Sequence, residues 1–161
     1  MKISTSRFGE VEIEDNAVLE LPDGILGFPD CHRVVIIDHQ PGSPFRWLQS
    51  VEIPELAFVV IDPLDLVPDY PLEKLKDILA DERKMPRPNN VAAAAITTVP
   101  AAPAAVTVNL TAPVVFDTDT RKGAQVILND PRFKTRHLLV REPAKNDNAE
   151  TDSKQKLTPH G

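Results

Sequence analysis

In residues 8–14 (FGEVEIE), Val11 and Ile13 fall on one side of an extended chain and Glu10, Glu12 and Glu14 on the other. That period of two predicts a half-exposed antiparallel strand. The extended pattern continues through Val18 and Glu20 to Pro22-Asp23-Gly24, a strong turn signal, and Gly27-Phe28-Pro29 gives a second bend with Phe28 expected to plug the core. Residues 33–38 (RVVIID) and 56–61 (LAFVVI) are unbroken apolar runs rich in β-branched side chains, which predicts strands buried on most sides. Residues 44–51 (PFRWLQSV) alternate, with Phe45, Trp47 and Gln49 on one face. Strands spaced about ten residues apart argue for a meander or barrel rather than for βαβ crossovers.

One helix is predicted, over residues 71–82. Leu72, Leu75, Ile78 and Leu79 form a single stripe, with Glu73, Lys74, Lys76 and Asp77 largely off it. Pro71 suits the first turn, where its missing N–H is not needed, and Met85-Pro86-Arg87-Pro88 ends the element. Residues 91–99 read as a strand of small side chains that permits close packing. Residues 104–110 alternate Val106 and Val108 against Thr107 and Asn109, and residues 136–141 supply a last strand.

Between them lies NLTAPVVFDTDTRKGAQVIL, residues 109–128, in which apolar runs at 113–116 and 125–128 flank a polar connector at 117–123. This predicts an antiparallel hairpin in a β core, with Gly123 supplying a positive φ where the chain re-enters a strand. Together these elements predict a mainly β fold. It is a small antiparallel β-barrel-like domain over residues 1–142, with one or two short helices and a polar, disordered tail at 143–161.

Composition sharpens this picture. Hydrophobic residues are 42% of the chain and aromatics only 5%, so Val, Ile, Leu and Ala must fill most of the core. The 16 prolines against 6 glycines imply many short elements with fixed turns. A single cysteine, Cys31, excludes an internal disulfide framework and a cysteine zinc site. The start, MKISTSRFGEVEIE, has no apolar signal-peptide segment, and no apolar run approaches the ~20 residues a membrane-spanning helix needs. A soluble cytoplasmic protein is expected. The net charge of −6 is uneven: residues 1–80 hold 15 Asp/Glu against 6 Lys/Arg, and residues 81–161 hold 9 against 12. The acidic half is either ordinary solvated surface or a face that attracts a basic protein. Direct nucleic-acid binding by an OB-like barrel is the alternative, disfavoured by the overall sign and by the lack of a visible basic groove with exposed aromatics.

Chemistry is sparse. Cys31 and His32 are adjacent, so on an extended segment their side chains diverge and do not make a nucleophile–base pair. His32, His39, His137 and His160 show no metal-ligand spacing, and there is no nucleophile elbow, phosphate loop or dinucleotide fingerprint. No enzymatic activity, cofactor or metal is expected. Asp62, Asp65 and Asp69, interleaved with Pro63, Leu64 and Pro68, are either a turn-capping set or the rim of an acidic contact face. They lack the Gly and terminal Glu of a calcium loop. Trp47 is either a core residue or an interface anchor. Asn109 and Gln125 are polar residues within β-type segments that either satisfy backbone groups or hydrogen-bond a partner.

Several strings then assemble into a pattern: GILGFPD (residues 24–30), PFRWLQSVE (44–52), LAFVVIDP (56–63), Tyr70 before the helix, and NLTAPVVFDTDTRKGAQVIL. In order and spacing they resemble the FliW family of bacterial flagellar assembly factors over about residues 2–141. The family often has Asn after the segment that reads APVVF here, where Asp117 stands, a departure confined to turn chemistry. The resemblance implies a monomeric, non-enzymatic β-barrel-like protein. It implies binding to CsrA, a dimeric translational repressor that grips flagellin mRNA, with allosteric release of the RNA. It also implies binding to flagellin near its terminal helical region, in a partner switch that ties translation to secretion. Trp47, Asp62, Asp65, Asp69, Asn109 and Gln125 are the candidate contacts.

Overall fold

The structure is a computed structural model, and it describes residues 1–38, 40–100 and 105–139. The expected tail at 143–161 lies outside the described residues. An N-terminal hairpin pairs β1 (Lys2–Thr5) with β2 (Gly9–Glu12). The main sheet contains β3 (Leu19–Glu20), β4 (Arg33–Asp38), β5 (Phe45–Ser50), β6 (Ala57–Ile61), β7 (Val91–Thr98), β8 (Thr107–Val108), β9 (Val114–Asp117), β10 (Gly123–Gln125) and β11 (His137–Leu138). Its spine runs β10-β9-β7-β6-β5-β4-β3, every pair antiparallel, and β8 with β11 branches from the far end of β7.

The fold is mainly β and antiparallel with one helix, α1 (Leu72–Arg83), as the sequence predicts. The sheet curls but does not close into a barrel. Its two end strands meet only at an isolated parallel bridge, Glu20 with Lys122, where Glu20 N–H donates to the Arg121 carbonyl at 2.8 Å. The segment after β3 covers that seam. Leu21, Ile25 and Cys31 are all buried there. Ile25 rather than Phe28 is the plug: Ile25 is 2% exposed and Phe28 41%, its ring lying edge-on to Phe58 at 5.4 Å. Ile25 and Phe28 face each other across a tight turn, exchanging both backbone hydrogen bonds. Gly24 makes this possible at φ +74, where a Cβ would lie 2.6 Å from the Pro29 carbonyl oxygen.

Alternation along the strands builds two cores, one on each face. Phe45, Ile61, Ala93, Ala95, Val115 and Ala124 face α1, whose Leu75 and Leu79 are both fully buried. Leu19, Val34, Leu48, Val60, Ala94, Val114 and Phe116 line the opposite face. Cores on both faces are why β4 and β6 read as continuous apolar runs. Pro71 caps the start of α1, and Lys84 ends it in the left-handed region at φ 50, its N–H reaching the carbonyls of Ala80 and Asp81. Tyr70 locks the helix approach to the sheet. Its buried hydroxyl donates to the Leu110 carbonyl at 2.7 Å, its ring meets Phe133 edge-on at 5.0 Å, and burial raises its pKa.

The central hairpin forms, with Gly123 in a different role from the one expected. Its φ is not positive; Arg121 carries the turn at φ 64. At Gly123 a Cβ would sit 2.1 Å from the Val115 carbonyl oxygen, so glycine is there to let two strands approach. The expected outer strands are shorter than the apolar runs: β8 and β11 have two residues each.

Candidate functional site

The second face carries a groove of about 210 Å³. Its floor comes from four strands of the main sheet: Ile36 on β4, Val60 on β6, Ala92 and Ala94 on β7, and Phe116 on β9. Cross-strand register puts Ala92 beside Phe116 and Ala94 beside Val114. Ala92 and Ala94 present only methyl groups beside the larger Phe116 and Val114, so the sheet surface is low at that strand. This is the consequence of the small-residue strand visible in the sequence.

The rim is polar, with Asp62 and Asp65, where β6 ends in a single 3-10 turn (Pro63–Asp65), and Ser43 and Arg46 from the start of β5. Asp62 Oδ1 accepts the Leu64 N–H at 2.9 Å, so it caps the turn while remaining exposed. Arg46 is paired with Asp38 across β4 and β5 at 3.3 Å. Asp62 and Asp65 have no ion-pair partner among the described residues, so the rim carries excess negative charge. An apolar floor with an acidic edge suits an amphipathic segment bearing basic residues.

Of the six candidate residues, the structure brings Asp62 and Asp65 together and places the rest elsewhere. Asp69 is exposed and lies 3.9 Å from Arg132. The same arginine grips Asp130 at 2.8 Å, and its hydrogen bonds hold that carboxyl down at about 2. Asn109 Oδ1 accepts the N–H groups of Thr111 and Ala112, both at 3.0 Å, closing the turn before β9. Gln125 bridges the sheet seam: Oε1 accepts the Leu26 N–H at 2.8 Å and Nε2 donates to the Ala112 carbonyl at 2.9 Å. Trp47 is 3% exposed, covered edge-on by Phe8 at 5.9 Å and by the Arg7 guanidinium 4.2 Å above its ring.

Cys31 and His32 do diverge. The thiol is buried in the second core and burial pushes its pKa up, the opposite of what a nucleophile needs, while His32 is exposed. Among the described residues, no group of three or more His, Cys, Asp or Glu could hold a metal ion. No helix among the described residues is long and apolar enough to cross a membrane.

Sequence reasoning passed over Arg46 and Ile36 as part of a site. Both belong to strands that pair directly, Ile36 opposite Leu48 and Asp38 opposite Arg46. Register was the missing information.

A family model described as FliW protein matches residues 2–139, which takes in every strand and the whole groove. The chain belongs to the FliW family. It is 40% identical to the flagellar assembly factor FliW of Ruminiclostridium cellulolyticum over 148 residues, covering 91% of this chain and 99% of that one. It is 36% identical to the flagellar assembly factor FliW of Geobacter sulfurreducens, covering 91% of each. A crystal structure of the flagellar assembly factor FliW superposes with a TM-score of 0.75 at 35% identity, covering 89% of this chain and 100% of that one. FliW proteins are flagellar assembly factors, a regulatory family rather than a family of enzymes.

Proposed function

We propose that this FliW-family protein acts in the cytoplasm as a monomeric protein-binding regulator of flagellin synthesis. It binds CsrA and releases flagellin mRNA from it, and it binds flagellin as a chaperone, so that the two partners compete for it. Membership of the FliW family over residues 2–139 is the observation that carries the reading. The groove is compatible with it. An RNA-binding repressor carries basic surface, and the unpaired Asp62 and Asp65 carboxylates favour its approach while opposing that of a phosphate backbone. The terminal segments of flagellin are amphipathic, and the Ile36, Ala92 and Phe116 floor offers apolar area to such a segment.

The test is a gel shift with purified CsrA bound to flagellin mRNA leader. Adding this protein is expected to release the RNA, and adding flagellin is expected to restore the RNA complex. RNA binding that stays undiminished at saturating protein would remove the CsrA half of the mechanism.

A further inference from the structure

The segment that covers the sheet seam contains a tight turn, residues 25–28, which carries apolar side chains outward as well as inward. Ile25 is the buried plug, but Leu26 at the tip is 68% exposed and Phe28 is exposed beside it. The turn is held firmly. Ile25 and Phe28 exchange backbone hydrogen bonds of 3.1 and 2.6 Å, and the Leu26 N–H donates to Gln125 Oε1 at 2.8 Å. Gln125 is tied in its turn, Nε2 donating to the Ala112 carbonyl at 2.9 Å. Ile127 belongs to the same surface. Val126 and Leu128 are buried in the core beneath α1, so Gln125 and Ile127 point the other way. Ile127 is 53% exposed, about 7 Å along the extended chain from the residue that holds Leu26.

Burying Ile25 requires a turn, but a polar residue at the tip would serve that turn equally well. Single exposed hydrophobics are ordinary, yet three of the five large ones that the described residues expose cluster here. Because the backbone beneath them is already fixed, little ordering remains to oppose binding. The surroundings are acidic. Between Arg7 and Arg33 the chain has seven Asp/Glu and no Lys or Arg. Asp23 is taken up by Arg83 at 2.6 Å, whereas Glu20 and Asp30, which flank the turn in sequence, are exposed and form no ion pair among the described residues. Arg121 and Lys122 adjoin Glu20 at the seam, and Glu52 takes up Arg33 at 3.1 Å. Asp30, two residues from Phe28, is left as an unbalanced charge.

These features narrow the occupant. Three side chains fall far short of the ~800 Å² per partner of a stable interface, and acidic surroundings oppose a second chain of net charge −6. A phosphate backbone meets the same repulsion. The tip of a turn is convex, so its partner must supply a preformed apolar pocket, which a folded protein has and a lone amphipathic segment lacks. We propose that Leu26, with Phe28 and Ile127 around it, is the apolar anchor for CsrA, entering a pocket with a basic rim on that folded repressor. The inference rests on the protein-binding function proposed above, but uses a surface separate from the acidic rim of the groove.

Leu26→Ser removes the anchor and keeps the N–H that bonds Gln125, whereas Leu26→Met keeps an apolar tip. Each full-length variant is melted to check folding, then titrated calorimetrically with CsrA and with flagellin. Leu26→Ser is expected to bind CsrA about tenfold more weakly than wild type, with Leu26→Met close to wild type and flagellin affinity unchanged in both. Wild-type CsrA affinity in folded Leu26→Ser overturns the proposal, and so does an equal loss in Leu26→Met or an equal loss of flagellin binding. If Leu26→Ser does not fold, methyl spectra of the wild type decide. The Leu26 and Ile127 methyl signals should shift or broaden as CsrA is added, and signals that stay in place overturn the anchor. A wild type that binds flagellin but not CsrA overturns the anchor alone. One that binds neither removes the protein-binding reading itself, and the anchor with it.

Discussion

The two faces of the main sheet are both buried, but by different means. On the first face α1 lays Leu75 and Leu79 into a closed core with Tyr70, Phe45, Leu110 and Phe133. On the second, the segment after β3 covers the seam with Leu21, Ile25 and Cys31 and leaves the strip over β7 open as the groove. The first face has large side chains from several elements meeting over the small residues of β7, Ala93 and Ala95. The second buries Ala94 in the core and leaves the neighbouring Ala92 half-exposed at the groove. One strand of alanines therefore admits close packing on one side and makes a concave surface on the other. Stability belongs mainly to the helix face, and the room for a partner belongs to the other.

The largest effect that distinguishes them is expected from Leu79→Ala. Leu79 is fully buried, and its truncation should cost about 2–5 kcal/mol, measured by urea denaturation. Below its lowered melting temperature the variant should bind partners as the wild type does, because Leu79 contributes nothing to the groove. A loss of binding without a loss of stability would show that the division between the faces is wrong.

A smaller effect tests where the faces are coupled. In Gly123→Ala the new Cβ meets the Val115 carbonyl oxygen at 2.1 Å and Phe116 Cβ at 2.6 Å. Val115 belongs to the helix-face core and Phe116 to the groove floor. The strands must separate slightly, at a cost of about 1–3 kcal/mol, and Phe116 must shift. Both stability and partner affinity should fall together, a pattern neither Leu79→Ala nor a rim substitution produces. An alanine accepted at no cost would mean that Gly123 is not at a close strand contact.

How far the sequence revealed this depends on what kind of information each feature needs. Period two and period 3.6 are local, so β4, β5, β6, β7 and α1 all lie within a residue or two of where the pattern puts them. β1 was passed over because four residues, KIST, bury only Ile3 and Thr5 and give too short an alternation to register. Phe28 and Gly123 were misjudged for a shared reason. Which of Ile25 and Phe28 turns inward, and whether a glycine serves φ or proximity, depend on a backbone many residues away. The acidic rim was legible in part. Asp62 and Asp65 follow the end of a strand, and that is where they stand, but their relation to Ala92 and Phe116 exists only through strand register.

The smallest expected change in stability comes with the most direct test of the groove. In Asp62→Asn/Asp65→Asn both rim charges are removed, while the new side chain at 62 keeps an oxygen to cap the Leu64 N–H. Asp65 is exposed, and Asp62 is exposed apart from that bond, so the melting curve should stay within about 0.5 kcal/mol of wild type. Association with CsrA should nevertheless slow by a factor of about 2–10 at low ionic strength, because the attraction that brings a basic surface to this edge has been lost. Raising the salt should narrow the gap, since exposed charges are screened over about 8–10 Å at physiological ionic strength. Stopped-flow measurements at two salt concentrations check both points. If the variant and the wild type associate at the same rate with the same salt slope, the acidic edge is only a solvated turn cap, and the groove-bearing face has lost its charge-based claim to the partner.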